Sequence, residues 1–269
     1  VLNVGLTPDT LDGLAALTGS RAFALDAYQR FLTMFASCVL GITPPATHAA
    51  PTDESALHAS VSTLEKAVVA HIGADRLRDS AFLLRETIGA VFRSRHSEPA
   101  RAYRRRENLP DSLGTSVTIQ SMVFGNLDED SGTGVVFSRD PSTGENRLTG
   151  DWMQRAQGED VVAGIRATLT VADLKIQMPE VFEALCQHAR TLEHWYRDMV
   201  DIEFTVEQGR LWILQARVGK RSAAAATRIA VELAEDGRFG VDRREALRRV
   251  PAEIMSGERC SQRSRAGTL

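Results

Sequence analysis

Apolar residues recur at helical spacing through the first part of the chain and then give way to strand-like alternation. "TPDTLDGLAALTG" offers Thr7 as an N-cap, Pro8 at the first helical position and Gly19 as a stop, which predicts a short helix. "RAFALDAYQRFLTMFASCVLG" puts Phe23, Tyr28, Phe31, Leu32 and Phe35 on one stripe and ends at Gly41, which predicts a second. "ITPPATHAAPTDES" has no period and reads as a loop. Amphipathic helices are expected from Ser55 to Ile72 and from Asp79 to Arg93, and a short basic helix within "HSEPARAYRRRENLP", closed by Pro110.

Near Ser116 the period becomes two. "SVTIQSMVFG" alternates through Val117, Ile119, Met122 and Phe124 and reads as a strand, followed by Gly-rich turns and short strands. "MPEVFEALCQHARTLEHWYRDM" returns to helical spacing, with Val181, Leu185, Ala189, Leu192 and Tyr196 on one side. "DIEFTVEQGRLWILQARVGKR" reads as two strands and a tight turn. A helix from Ser222 and a disordered tail, "SGERCSQRSRAGTL", complete the chain. The expected layout is a helical subdomain over 1–112, an α+β subdomain over 113–220, and a C-terminal helix with its tail over 221–269.

Side chains two apart on a strand share a face. Ile202, Phe204 and Val206 therefore belong to one face of the hairpin, and Trp212, Leu214 and Ala216 fit that same face. Asp201, Glu203, Thr205, Gln215 and Arg217 fall on the other if the loop has an odd residue count, as with Gln208, Gly209 and Arg210. Two interpretations remain open. The polar face is a half-exposed sheet surface with one ion pair, or it is a site for Mg²⁺ and phosphate, since oxygen ligands suit Mg²⁺ and an arginine grips phosphate bidentately.

The composition, 43% hydrophobic and 25% charged over 269 residues, is that of a globular chain, and the net charge of −3 supplies no basic field for nucleic acid or an anionic membrane. Arg104 to Arg106 then read as a solvated helix face. No apolar run approaches the roughly 20 residues of a membrane span. Cys38, Cys186 and Cys260 are too far apart for a disulfide framework or zinc spacing, which points to a reducing, cytoplasmic setting. His188 and His194, six apart on a helix, lack the spacing of a metal pair. "DEDSGTG" lacks the later ligands of a calcium loop and reads as a Gly-rich turn between strands. No Walker-type loop occurs, and "VLNVGL" at Val1 looks like the inside of a protein, so a fragment is expected.

Read together, "VLNVGL", "TIGAVFRS", "SMVFGNLDEDSGTGVVFSRDPSTGE", "AQGEDVVAGIR" and "DIEFTVEQGRLWILQAR" with "GKR" resemble the pyruvate, phosphate dikinase family, in its order and over about residues 1 to 240. The resemblance is to its nucleotide-binding domain, and it implies an α+β, ATP-grasp-like fold that lacks its N-terminal lobe here. It implies a phosphotransferase in which ATP and inorganic phosphate give AMP and pyrophosphate, by way of a phosphohistidine on another domain and a barrel that makes phosphoenolpyruvate from pyruvate. It implies ATP positions at Asp201, Glu203 and Gln215, with Mg²⁺ at Glu203 and Gln215. Arg217, Glu159, Asp160 and Arg30 match positions tied to phosphate and phosphoryl transfer, and Gln120 and Met122 could face adenine. Such transfer needs positioning and charge neutralisation more than covalent help.

Several features depart from the family pattern. Asp151 stands where the family usually has Glu, and Arg155 where it usually has Asn. The family's Gly-rich segment with a phosphate-binding Lys and Arg lies upstream of "VLNVGL", and no histidine here has the phosphohistidine context. The resemblance therefore implies partners: phosphohistidine and pyruvate-binding domains on the remainder of the protein or on a separate chain, with no nucleic acid and no membrane. The alternatives are a non-catalytic remnant or regulatory ATP-binding module, or the equivalent domain of a phosphoenolpyruvate synthase-like phosphotransferase.

Overall fold

The computed structural model describes residues 1–46, 53–162 and 168–250, so the tail and part of the Pro-rich loop lie outside the described residues. The chain forms two compact units that divide after Met122.

The first unit is helical: α1 (Leu11–Thr18), α2 (Arg21–Met34), α3 (Glu54–Ile72), α4 (Ala74–Arg78), α5 (Ser80–Ser94) and α6 (Glu98–Arg106). Regular helix starts at Leu11, later than expected, but Thr7 organises the turn before it, its hydroxyl accepting from the Thr10 N–H at 3.3 Å. Gly19 and Gly41 close α1 and the π-helical continuation of α2 with φ of 68° each, a conformation glycine adopts without strain. Ser20, Asp53, Asp79 and Ser97 cap the following helices by accepting backbone N–H groups. Of the predicted stripe, Tyr28, Phe31, Leu32 and Phe35 are buried in one core with Leu57, Val61, Leu64 and Val68 of α3; Phe23 is buried too but is not part of that cluster.

The expected strand over "SVTIQSMVFG" is absent. Residues 113–124 form neither helix nor strand, and Ile119 is 64% exposed. Alternation supplies β propensity, but a strand exists only where a ladder partner completes it, and no described strand pairs with this segment.

The second unit is mixed α and β. Its sheet contains β1 (Gly132–Phe137), β2 (Thr149–Gln154), β3 (Leu169–Thr170), β4 (Val200–Glu207) and β5 (Arg210–Val218), in the order β3-β2-β1-β4-β5, with all pairs antiparallel. Its helices are α7 (Gly158–Val162), α8 (Val171–Gln177), α9 (Pro179–Tyr196), α10 (Ala223–Glu235) and α11 (Arg243–Arg249). One sheet face, with Val136, Trp152, Ile202, Phe204 and Val206, packs on Leu174, Val181, Leu185 and Ala189 of α8 and α9. Gly134 lies between Trp152 and Phe204 in register, and a Cβ there would collide with the Phe204 ring. Leu192 packs with the stripe, but Tyr196 is 42% exposed, its hydroxyl donating to Ala216 O at 2.9 Å. No described helix is long and apolar enough to cross a membrane.

Candidate functional site

The β4–β5 hairpin turns in two residues, not three. Gln208 and Gly209 sit at φ of 51° and 74°, between paired Glu207 and Arg210, which is the twist that favours tight hairpins. Parity is restored by a bulge: Phe204 pairs with Ile213 and Glu203 with Gln215, so Leu214 is the extra residue. The apolar face of β5 is consequently Leu211, Ile213 and Ala216. Trp212, expected in that core, pairs with Thr205 on the polar side, and Leu214 is taken up by the bulge.

The polar face follows from this register in three rows. Asp201 lies opposite Arg217, and Arg217 Nε donates to Asp201 Oδ2 at 2.9 Å. Asp201 is only 5% exposed, and its Oδ1 is buried without a hydrogen-bond partner. Glu203 lies opposite Gln215 on one side and Val135 on the other, with Asp151 beyond Val135. Thr205 lies opposite Trp212 and Thr133, the two threonine hydroxyls 3.1 Å apart. Thr205 was expected on this face; Thr133 and Trp212 were not, and the β-branched Thr133 in "SGTGVVF" was the available signal. Acid, amide and guanidinium on one face can take a cation and an anionic phosphate together.

Glu159 and Asp160 stand in the first turn of α7, which packs on β1. Gln157 N–H donates to Asp160 Oδ2 and Asp160 N–H to Gln157 O, each at 2.9 Å, so Asp160 closes the helix start. Arg30, on α2 of the first unit, donates through Nε to buried Asp26 at 3.0 Å. Gln120 and Met122 lie in the irregular segment that ends that unit, Gln120 exposed and Met122 half-buried. Among the described residues, no group of three or more His, Cys, Asp or Glu is arranged to hold a metal. "DEDSG" is a turn that leads into β1, with no strand before it; His188 and His194 are exposed on α9. A cavity of about 310 Å³ between the end of α9 and Gly237–Gly240 involves none of the expected site residues.

A family model described as the AMP/ATP-binding domain of pyruvate phosphate dikinase matches residues 1–178 and 169–237. The chain is 41% identical to the chloroplastic pyruvate, phosphate dikinase of Flaveria pringlei, covering 94% of the chain and 28% of that protein. It is 38% identical to the pyruvate, phosphate dikinase of Rhizobium meliloti (strain 1021), over 94% of the chain and 31% of the relative. Against the Giardia intestinalis enzyme the identity is 40%, over 94% and 30%. The chain belongs to the pyruvate phosphate dikinase AMP/ATP-binding domain family, and it spans less than a third of the length of these relatives.

Proposed function

We propose that this chain is the nucleotide-binding part of a pyruvate, phosphate dikinase, an ATP-grasp domain that takes Mg-ATP on the polar face of the β4–β5 hairpin. The observation that carries the proposal is the pairing of Glu203 with Gln215 beside the Asp201–Arg217 ion pair. Mg²⁺ prefers few protein oxygens and keeps water and substrate phosphate as its other ligands. Glu203 and Gln215 suit that demand, and the unpartnered Asp201 Oδ1 is a buried acceptor awaiting a cation or donor. When bound, Mg²⁺ would neutralise phosphate charge that carboxylates would otherwise repel.

In this proposal Arg217 orients a phosphate while Asp201 fixes its guanidinium. Glu159, Asp160 and Arg30 serve the inorganic phosphate and the phosphoryl transfer, and Gln120 and Met122 face the adenine. The partners are phosphohistidine and pyruvate-binding domains, elsewhere in the polypeptide or on a separate chain. The setting is cytoplasmic, which the free thiols of Cys38 and Cys186 suit.

Calorimetry with ATP, with and without Mg²⁺, tests the reading. Mg-dependent binding that falls at least tenfold in Glu203→Ala is the expected result. Binding indifferent to both Mg²⁺ and Glu203 would remove it.

A further inference from the structure

The turn "DEDSG" recruits no ligand in the reading above, yet residues 124–131 are held from two sides. On one side are the residues that lead from β2 into α7. Arg155 N–H donates to Ser131 O at 2.9 Å, Ala156 N–H to Gly125 O at 3.0 Å, and Gln157 Nε2 to Asn126 Oδ1 at 3.1 Å. Gln154 Nε2 donates to Glu129 O at 2.5 Å, and Arg155 pairs with the Glu129 carboxylate at 2.7 Å. On the other side is the hairpin tip. Phe124 N–H donates to Glu207 Oε1 at 2.8 Å, Gln208 N–H to Ser131 Oγ at 3.0 Å, and Gly209 N–H to Asp130 O at 2.8 Å.

Ser131 is bonded to both sides at once. Its carbonyl takes the Arg155 amide and its hydroxyl takes the Gln208 amide. The hydroxyl proton is directed to Asp128 Oδ1 at 2.6 Å, which frees the oxygen lone pairs to accept. Ser131 is fully buried, so it cannot touch a ligand. Gly125 packs so closely that a Cβ would collide with the carbonyl oxygens of Ala156 and Gly132. The β1 ladder already fixes β2 and β4 as far as Gly132; Ser131 carries that fixing past the end of the ladder.

We propose that Ser131 is a positioning residue that locks α7, with Glu159 and Asp160, to the hairpin that bears Asp201, Glu203, Gln215 and Arg217. The purpose of this latch rests on the nucleotide reading; its existence does not. Removing the Ser131 hydroxyl frees the Gln208 amide directly and loosens the α7 corner only through the latch.

Hydrogen exchange on the 269-residue chain reads both sides. In Ser131→Ala, the amides of Arg155, Ala156 and Asp160 and those of Gln208 and Gly209 should exchange faster together, by about tenfold or more, an opening of roughly 1.4 kcal/mol for each factor of ten. Asp128→Ala should give a smaller paired increase if Ser131→Ala folds poorly, and Asp128→Asn, which keeps the acceptor, should restore protection. Faster exchange at the hairpin tip alone, or no rescue by Asp128→Asn, overturns the latch. Paired exchange in a chain whose wild type ignores Mg-ATP supports the latch and refutes the nucleotide reading. Where the wild type binds Mg-ATP, Ser131→Ala should weaken it about tenfold.

Discussion

Arg217 holds Asp201 across the hairpin through one carboxylate oxygen and leaves the other buried and unpartnered. Hydrogen-bonding capacity left unused inside a protein costs stability, of order 1–3 kcal/mol for a buried group. In the proposed site, a bound cation or donor at that oxygen would relieve the cost. Asp201→Asn preserves an acceptor for Arg217 and removes the buried charge. The Asn NH2 stays as unpaired as the oxygen it replaces, so the ligand-free variant should stay within about 1 kcal/mol of wild type while losing Mg-ATP affinity at least tenfold. Thermal melts beside calorimetry check both halves; a variant that is both less stable and still binds contradicts the assignment.

A second buried acid has the opposite character, since both of its oxygens accept hydrogen bonds. Glu193 Oε1 accepts from Arg139 Nε at 2.6 Å and from Ser138 Oγ at 3.1 Å, and Ser138 Oγ accepts in turn from Val200 N–H at 3.0 Å. Arg139 also donates to Glu232 on α10 at 2.5 Å, so one guanidinium ties the end of β1 to α9 and α10. Arg139 and Glu193 are 2% and 5% exposed, and removing one partner strands the other in a dry site. Glu193→Ala should cost about 3 kcal/mol in denaturant unfolding, and Glu193→Gln clearly less. Equal losses in the two variants would mean that packing and not the ion pair is at stake.

Asp140 gives the pH dependence a sign. The Ser142 and Thr143 N–H groups donate to its Oδ1 at 2.8 and 3.0 Å and Arg147 to its Oδ2 at 2.7 Å, holding its carboxyl below the usual carboxylate range. The unfolded chain takes up this proton near pH 4, the folded chain only at lower pH. The stability contributed by Asp140 is therefore complete above about pH 4 and lost as pH falls through its folded value. Asp140→Asn lacks that contribution, so the gap between the wild-type and variant melting temperatures should narrow on going from pH 6 to pH 3. A constant gap over that range excludes the assigned shift.

Most of the helical stripe of the first unit was legible because burial there needs only periodicity: Tyr28, Phe31, Leu32 and Phe35 share one core whatever packs on them, while Phe23 is buried apart from that cluster. The hairpin partners Glu203–Gln215 and Asp201–Arg217 were legible too, but through two compensating errors. The loop is one residue shorter than expected and the bulge at Leu214 makes up the difference. Bulges leave no mark in an alternation pattern, so Trp212 was assigned to the wrong face. The segment 116–124 failed for another reason: its alternation is real but no described strand pairs with it. Short elements such as β3, α7, α8 and α11, with two to seven residues each, carry too few periods to be read.

The displaced Trp212 provides a reporter for the face. It pairs with Thr205 two residues from Glu203, Arg210 lies 4.1 Å from its ring centroid, and its Nε1 is buried without a partner. Trp152, by contrast, is fully buried in the core, and Trp195 is 78% exposed on α9. These environments respond differently to a ligand on the polar face. Mg-ATP laid across Glu203 and Gln215 changes the field and solvent around Trp212 while leaving the sealed Trp152 unaffected. Tryptophan emission should therefore change on Mg-ATP addition, and the change should persist in Trp195→Phe and vanish in Trp212→Phe. Because Phe keeps the aromatic face under Arg210, loss of the signal without a large fall in melting temperature would tie the reporter to the ligand and not to unfolding. A signal that survives in Trp212→Phe means the nucleotide binds away from this face, and the hairpin loses its claim to the site.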